Sequence, residues 1–194
     1  MGCQYKVIIY IPLIIFVFPL SLFSEYVIQA SALTNPNFLT YENPTHGVKI
    51  QYPATWIESQ NGLNDFSKVV GFYAPFGNLS DISTGTLIIS IRHYSHNITL
   101  DGYNSLINNI LKNPNVQTIQ SNPFTLAENP AHKVVFLNSP PGLPKQLNML
   151  VWTVKGNNVY IISFNSEPSK YRSYEPIVDK MIDTFEITNS TGTK

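Results

Sequence analysis

Two histidines three residues apart are the first candidates for chemistry in this sequence. His93 and His96 follow a run with strand character, and neutral imidazole is a common ligand of zinc and other divalent metals. On a strand, side chains three apart point to opposite faces, so the two rings converge only if the chain bends after His93. Zinc would still need a third or fourth ligand, and His46 and His132 are distant in sequence. The pair predicts either a divalent-metal site or two polar residues at a strand end.

Three aspartates in predicted loops or element ends, Asp65, Asp81 and Asp101, have oxygen atoms that suit calcium. The sequence contains no D-x-D-x-D-G loop, so solvated turn carboxylates are the better interpretation.

Catalytic motifs are missing from the sequence. There is no G-x-S-x-G elbow, and Gly85 leads into a strand, which does not suit a phosphate-binding loop. Cys3 is the one cysteine, which excludes an intramolecular disulfide and any thiol nucleophile beyond the extreme N-terminus. Because no acid–base pair can be placed, we expect a protein that is not an enzyme.

Aromatic residues and sequons offer two further kinds of site. Trp56, Trp152 and Tyr160 either line a ligand pocket or belong to the core. Glycosylation sequons begin at Asn78, Asn97 and Asn189, and they are meaningful on an exported protein.

The composition indicates one extracytoplasmic domain. The chain has 194 residues, of which 43% are hydrophobic, enough for one core of ordinary size. Charged residues make up 12%, about half the usual share, and twelve basic residues balance twelve acidic ones. A neutral chain with no basic cluster argues against binding to nucleic acid, since phosphate contacts need Lys and Arg.

The N-terminal segment, residues 1–32, has the pattern of a secretory signal. Lys6 precedes seventeen uncharged residues, 7–23, and Ala30-Ser31-Ala32 supplies the small residues of a cleavage site. The alternative is an uncleaved membrane anchor. Either interpretation places the rest of the chain outside the cytoplasm, secreted or held at the outer face of the membrane. Residues 33–40 are polar and predict a flexible lead-in.

Residues 147–164 predict the centre of the fold. Two runs with strand character flank Lys155-Gly156-Asn157-Asn158, whose glycine and asparagines tolerate the positive φ of a hairpin turn. Both faces of both runs are apolar. In a sheet with one solvent-exposed face, apolar and polar residues would alternate along each strand. We therefore expect a central hairpin covered on both faces.

The other elements complete one domain, residues 41–187, followed by a loose tail, 188–194. Thr99 can cap a first helix with one apolar stripe, and a second helix starts near Pro168 and restarts at Pro176. The stripe of the first helix is formed by Tyr103, Leu106, Ile107, Ile110 and Leu111. Further strands are predicted at 48–52, 69–73, 86–92, 116–124 and 133–137. The fold class is α+β, an antiparallel sheet of about six strands covered by helices on both faces.

The order of these elements resembles PsbP-like domains. The resemblance lies in Tyr41-Glu42-Asn43-Pro44, in residues 47–53 with Tyr52-Pro53 before Trp56, and in the closing residues 181–185, Met-Ile-Asp-Thr-Phe. It extends over most of residues 38–187.

The resemblance implies an α-β-α sandwich. Plant members are extrinsic photosystem subunits at a membrane surface, linked to calcium and manganese retention, and relatives include a Ran-GTPase-binding protein and bacterial envelope proteins. None is an enzyme by virtue of the fold. This chain lacks the long basic lead-in of plant members, so the photosystem role is not carried over.

The function expected from this is an exported, non-enzymatic protein that binds or supports a protein partner at the outer membrane face. The alternative is an envelope protein that binds a small ligand or a divalent metal. In that case the divalent metal, which the family resemblance suggests, would be its one cofactor. The oligomeric state stays open.

Overall fold

The computed structural model describes residues 37–60, 67–75 and 85–189. The predicted signal segment, Cys3, Asp65, Asn78 and Asp81 lie outside these residues. The described residues form strands β1 (Phe38–Asn43), β2 (Val48–Pro53), β3 (Ile57–Ser59), β4 (Lys68–Tyr73), β5 (Thr86–His93), β6 (Val116–Leu126), β7 (Asn129–Asn138), β8 (Gln146–Lys155), β9 (Asn158–Ser166) and β10 (Glu186–Ile187), with helices α1 (Leu100–Leu111) and α2 (Pro168–Asp183). Within those ranges neither helix has the length and hydropathy needed to cross a bilayer.

The main sheet has seven strands in the order β3-β4-β5-β9-β8-β7-β6, and all neighbours are antiparallel. The predicted hairpin is β8–β9, and β9 is the middle strand, so its central position is confirmed. Its two-residue loop follows the pair Lys155↔Asn158 and begins with Gly156 at φ 62°. Positive φ at this first loop position is typical of a type II′ turn, which glycine adopts without a steric penalty.

Each face of the main sheet carries a separate hydrophobic cluster. On β8, Met149 and Val151 belong to the cluster under α2, while Trp152 belongs to the cluster under α1. Neighbouring residues of a strand point to opposite faces, so the helices cover opposite sides of the sheet. On β7 the same alternation holds, because Val134 lies in the α1 cluster and Val135 in the α2 cluster. The α-β-α architecture expected from the sequence is therefore observed, with seven strands in the main sheet instead of about six.

A second sheet of three strands, in the order β1-β2-β10, was not predicted. β1 pairs with β2 from Phe38↔Pro53 to Asn43↔Val48. The lead-in predicted for residues 33–40 therefore overlaps a strand from Phe38 onward. The polar, proline-containing composition of that segment hid the strand, because pairing with β2 rather than hydrophobic alternation stabilises it.

Helix α2 differs from its prediction at Pro176. The sequence predicted a restart there, but the helix is continuous from Pro168 to Asp183. A proline inside a helix removes one backbone hydrogen bond and costs about 3 kcal/mol. Burial of Tyr171, Val178, Met181 and Ile182 against the sheet offsets this loss.

Helix α1 begins as predicted but buries less of its stripe. The backbone N–H of Gly102 donates to Thr99 Oγ1 at 3.1 Å, so the predicted cap is confirmed. Tyr103 and Ile107 are buried, whereas Leu106 and Ile110 are 46% and 62% exposed. The helix thus rests on the sheet along a narrow line, and part of the expected core stripe faces solvent.

Candidate functional site

The two histidines of the predicted metal pair, His93 and His96, contact different neighbours. His93 is the last residue of β5, and its Nδ1 lies 2.9 Å from Asn158 Oδ1. His96 lies beyond the strand, where its ring contacts Tyr94 with a centroid distance of 5.8 Å. Among the described residues, no three His, Cys, Asp or Glu side chains form a group that could hold a metal ion.

His93 shares a cavity with His46, which lies in the turn between β1 and β2. This cavity of about 300 Å³ is the histidine cavity, and it is lined by Thr45, His46, Ser67, Val69, Ile91, His93, Asn158 and Tyr160. The backbone N–H of His46 donates to Asn43 Oδ1 at 3.1 Å, which holds the turn. Sequence reasoning left His46 unassigned because 47 positions separate it from His93 along the chain.

The contact with Asn158 orients the His93 ring. An amide oxygen can only accept, so in a neutral His93 the Nδ1 carries the proton and Nε2 keeps its lone pair. Histidines that bind metals are commonly oriented in this way by a hydrogen bond from the second ring nitrogen. The histidine cavity can therefore present one oriented imidazole acceptor, with His46 and side-chain hydroxyls on its other walls.

A larger cavity, of about 510 Å³, lies between the β6–β7 turn and the carboxyl end of α2. We call it the acidic groove. It is lined by Thr125, Ala127, Glu128, Ile182, Asp183, Phe185, Glu186 and Ile187.

One wall of the acidic groove is a two-residue turn with an uncommon backbone. Ala127 and Glu128 have φ of 47° and 62°, between the paired residues Leu126 and Asn129. Two positive φ angles are typical of a type I′ turn, where Asn-Gly is the usual sequence. For residues with a Cβ, the left-handed region costs about 1 kcal/mol or more each. The Asn129 side-chain amide donates to the Ala127 carbonyl and helps hold this conformation.

The opposite wall is the segment that follows α2. Ile182 and Phe185 are buried beneath the groove, and together with the partly exposed Ala127 and Ile187 they form its apolar floor. Asp183 and Glu186 are exposed. Thr184 fixes this segment to the core, because its hydroxyl accepts from the Gln51 N–H at 3.0 Å and donates to the Met181 carbonyl at 2.8 Å. The groove therefore combines an apolar floor with a rim of carboxylates, which no feature of the sequence indicated.

Comparison with known proteins decides the family. A sequence model described as PsbP-like protein matches residues 25–187, more than half of the chain. The chain belongs to the PsbP-like family. A search of curated proteins found no match.

Solved structures share the fold of this PsbP-like chain at low sequence identity. Cyanobacterial PsbP from Synechocystis matches with a TM-score of 0.59 at 11% identity, covering 79% of this chain and 94% of that one. LpqN of Mycobacterium tuberculosis, described as involved in cell envelope biogenesis, matches with a TM-score of 0.56 at 14% identity, covering 82% and 96%. The Saccharomyces cerevisiae Ran-binding protein Mog1p matches with a TM-score of 0.55 at 9% identity, covering 79% and 96%.

The three aromatic residues predicted as either a ligand pocket or core are divided between the two hydrophobic clusters of this PsbP-like domain. Trp56 is buried and contacts Tyr174 with a centroid distance of 5.9 Å, in the cluster under α2. Trp152 lies on the other face and donates from Nε1 to Asn104 Oδ1 at 2.9 Å. Tyr160 lines the histidine cavity. The tryptophans are therefore core residues, and Tyr160 alone of the three borders one of the two cavities.

Two of the three predicted glycosylation sequons begin at described residues, and both of these asparagines are exposed. Asn97 is exposed just ahead of α1, where the third sequon residue, Thr99, serves as the helix cap. Asn189 is exposed at the end of the described chain. Glycosylation at these positions and at Asn78 stays a prediction.

A contact between Ser121 and His132 adds a pair that sequence reasoning did not find. Ser121 Oγ lies 2.9 Å from His132 Nε2, and the His132 ring is tilted against Trp152 with a centroid distance of 5.2 Å. Neither Ser121 nor His132 lines the histidine cavity or the acidic groove.

Proposed function

We propose that this PsbP-like protein works outside the cytoplasm, at the outer face of the cell membrane, as a non-enzymatic factor that binds or supports another protein. The observation that carries the proposal is the acidic groove, a concave surface with an apolar floor and a charged rim. Protein interfaces place apolar contacts at their centre and polar groups around them. The secretory pattern of residues 1–32 supports the location, as does the fold shared with LpqN.

The chemistry of the side chains supports a binding role over a catalytic one. His93 is oriented by the amide oxygen of Asn158, whereas the histidine of a catalytic triad is oriented by a carboxylate. Neither Ser121 nor His132 lines the acidic groove or the histidine cavity, so neither of these two concave surfaces offers the pair a substrate. Mog1p is described as Ran-binding, which shows that this fold can serve protein recognition.

Photo-cross-linking from the groove tests the proposal. A benzoylphenylalanine at Thr125, an exposed lining residue, is introduced into the full chain, and intact cells are irradiated. We expect a discrete cross-linked protein, identified by mass spectrometry. The matched control places the same group at Ser105, exposed on α1 across the sheet. No product from Thr125, or identical products from both positions, would refute protein binding at this surface.

The location has its own test. Protease added to intact spheroplasts should degrade the chain while a cytoplasmic marker survives. A chain that is protected until the membrane is lysed would contradict the extracytoplasmic assignment.

The second candidate function is binding of a small ligand or divalent metal in the histidine cavity. The observation that favours it is the presence of His46 and the oriented His93 on one cavity. Purified protein equilibrated with Zn²⁺ should retain metal, and His46→Ala and His93→Ala should each lower the retained amount. His96→Ala is the matched control, because His96 does not line this cavity. Equal and negligible metal in all four proteins would end the metal form of this candidate.

A further inference from the structure

We propose that the acidic groove binds a segment of the partner protein that carries lysine or arginine. In this arrangement the aliphatic stem lies on the apolar floor and the cationic head lies between the carboxylates of the rim. The inference rests on the proposed function, since it names the chemistry of the partner that the groove would recognise.

The first argument is charge. Glu128, Asp183 and Glu186 line the groove, and none of the residues lining it in the described part of the chain is basic. The whole chain has no net charge, so this negative surface is local. Asp183 also ends α2, where the helix dipole adds negative potential. Lys49 approaches Glu186 at 3.4 Å in an exposed pair, which leaves Glu128 and Asp183 to face a ligand.

The second argument is the floor. Ile182 and Phe185 are buried beneath the rim, and Ala127 and Ile187 are partly buried beside them. A bare metal ion would make no use of an apolar floor, and the described carboxylates form no group that could hold one. Lysine and arginine combine an apolar stem with a cationic head, so they fit both parts of the groove.

The third argument is size and rigidity. A volume of about 510 Å³ is in the range of ligand pockets and exceeds that of one side chain, so the groove suits a short stretch of chain. Its walls are already held, by the β6–β7 ladder on one side and by the hydrogen bonds of Thr184 on the other. A preformed groove loses little conformational freedom when it binds.

Two matched peptides test the inference on the full chain. One is an acetylated heptapeptide, Gly-Leu-Arg-Leu-Arg-Leu-Gly amide, and the other has glutamate in place of both arginines. In an NMR titration, the arginine peptide should cause saturable amide shifts at residues 125–129 and 182–187, weaker at higher salt. The double variant Glu128→Gln with Asp183→Asn should bind it about three- to tenfold more weakly, as expected for two exposed ion pairs.

The control variant removes the same number of charges elsewhere, by Asp101→Asn with Glu175→Gln, and should keep the affinity of the wild type. Equal shifts with both peptides, or unchanged affinity in the groove variant, would overturn the inference. Spermidine is the probe for a small organic cation, and competition by spermidine at the peptide's own concentration would also overturn it.

The cross-linking and peptide-binding experiments together distinguish a failure of this inference from a failure of the proposed function. A protein cross-linked at Thr125 to the same extent in wild type and in the groove double variant would leave the proposed function standing and refute this inference. Peptide binding without any cross-linked protein would count against the proposed function instead.

Discussion

Replacing Tyr171 by phenylalanine should stabilise this protein. Tyr171 lies in the first turn of α2, is 3% exposed, and packs on Phe164 with a centroid distance of 5.7 Å. Within the described residues its hydroxyl is a buried polar group without a hydrogen-bond partner. Burying such a group costs about 1–3 kcal/mol, and phenylalanine keeps the ring while removing that cost.

The expected gain for Tyr171→Phe is about 1–2 kcal/mol in the free energy of unfolding, since the ring packing is retained. For a domain of this size that corresponds to about 2–8 °C in Tm. The assay is urea denaturation of the full chain followed by circular dichroism, with the m-value checked for constancy. The matched control is Tyr41→Phe, because the Tyr41 hydroxyl accepts from Asn43 Nδ2 at 3.0 Å, and its loss should destabilise the fold.

The same substitution predicts a pH dependence. Burial, with smaller contributions from the carboxylates of Glu175 and Asp179, raises the pKa of Tyr171 above its ordinary value of 10.0. Above pH 10 the unfolded chain therefore releases this proton while the folded chain retains it, so the wild type loses stability as pH rises. The phenylalanine variant lacks this loss, and its advantage should grow between pH 9 and pH 11. A variant that is less stable than the wild type at pH 7, or an advantage that shrinks with rising pH, would refute the reasoning.

Two further predictions concern local backbone and capping. Changing Ala127→Asn with Glu128→Gly installs the usual type I′ sequence at φ angles of 47° and 62° and should raise the unfolding free energy by about 1–2 kcal/mol in the same urea assay. An unchanged or lower midpoint would show that the turn is not strained. Thr99→Ala removes the acceptor for the Gly102 N–H and should lower stability by about 1 kcal/mol, whereas Thr99→Ser should preserve it. Equal losses in both Thr99 variants would contradict a capping role.

The sequence alone determined the parts of this fold that depend on local patterns. Apolar residues on both faces of residues 147–164 require a strand pair covered on two sides, and β9 is the middle strand of the main sheet. The start of α1 followed from Thr99, because capping involves residues only three positions apart. The opening residues 41–56 and the closing residues 181–185 were enough to indicate the PsbP-like family, which the match over residues 25–187 shows.

The tertiary structure decided everything that depends on where distant segments meet. The short strands β3 and β10 have too few residues to show a period, and they exist because partner strands pair with them. His46 and His93 share a cavity only because the β1–β2 turn lies beside the end of β5. The acidic groove likewise joins the β6–β7 turn to residues more than fifty positions later, and its carboxylates are unremarkable in sequence. The periodicity of apolar residues indicates which face of its own helix or strand a residue occupies. A site depends on how helices and strands pack against one another, and no local sequence pattern encodes that packing.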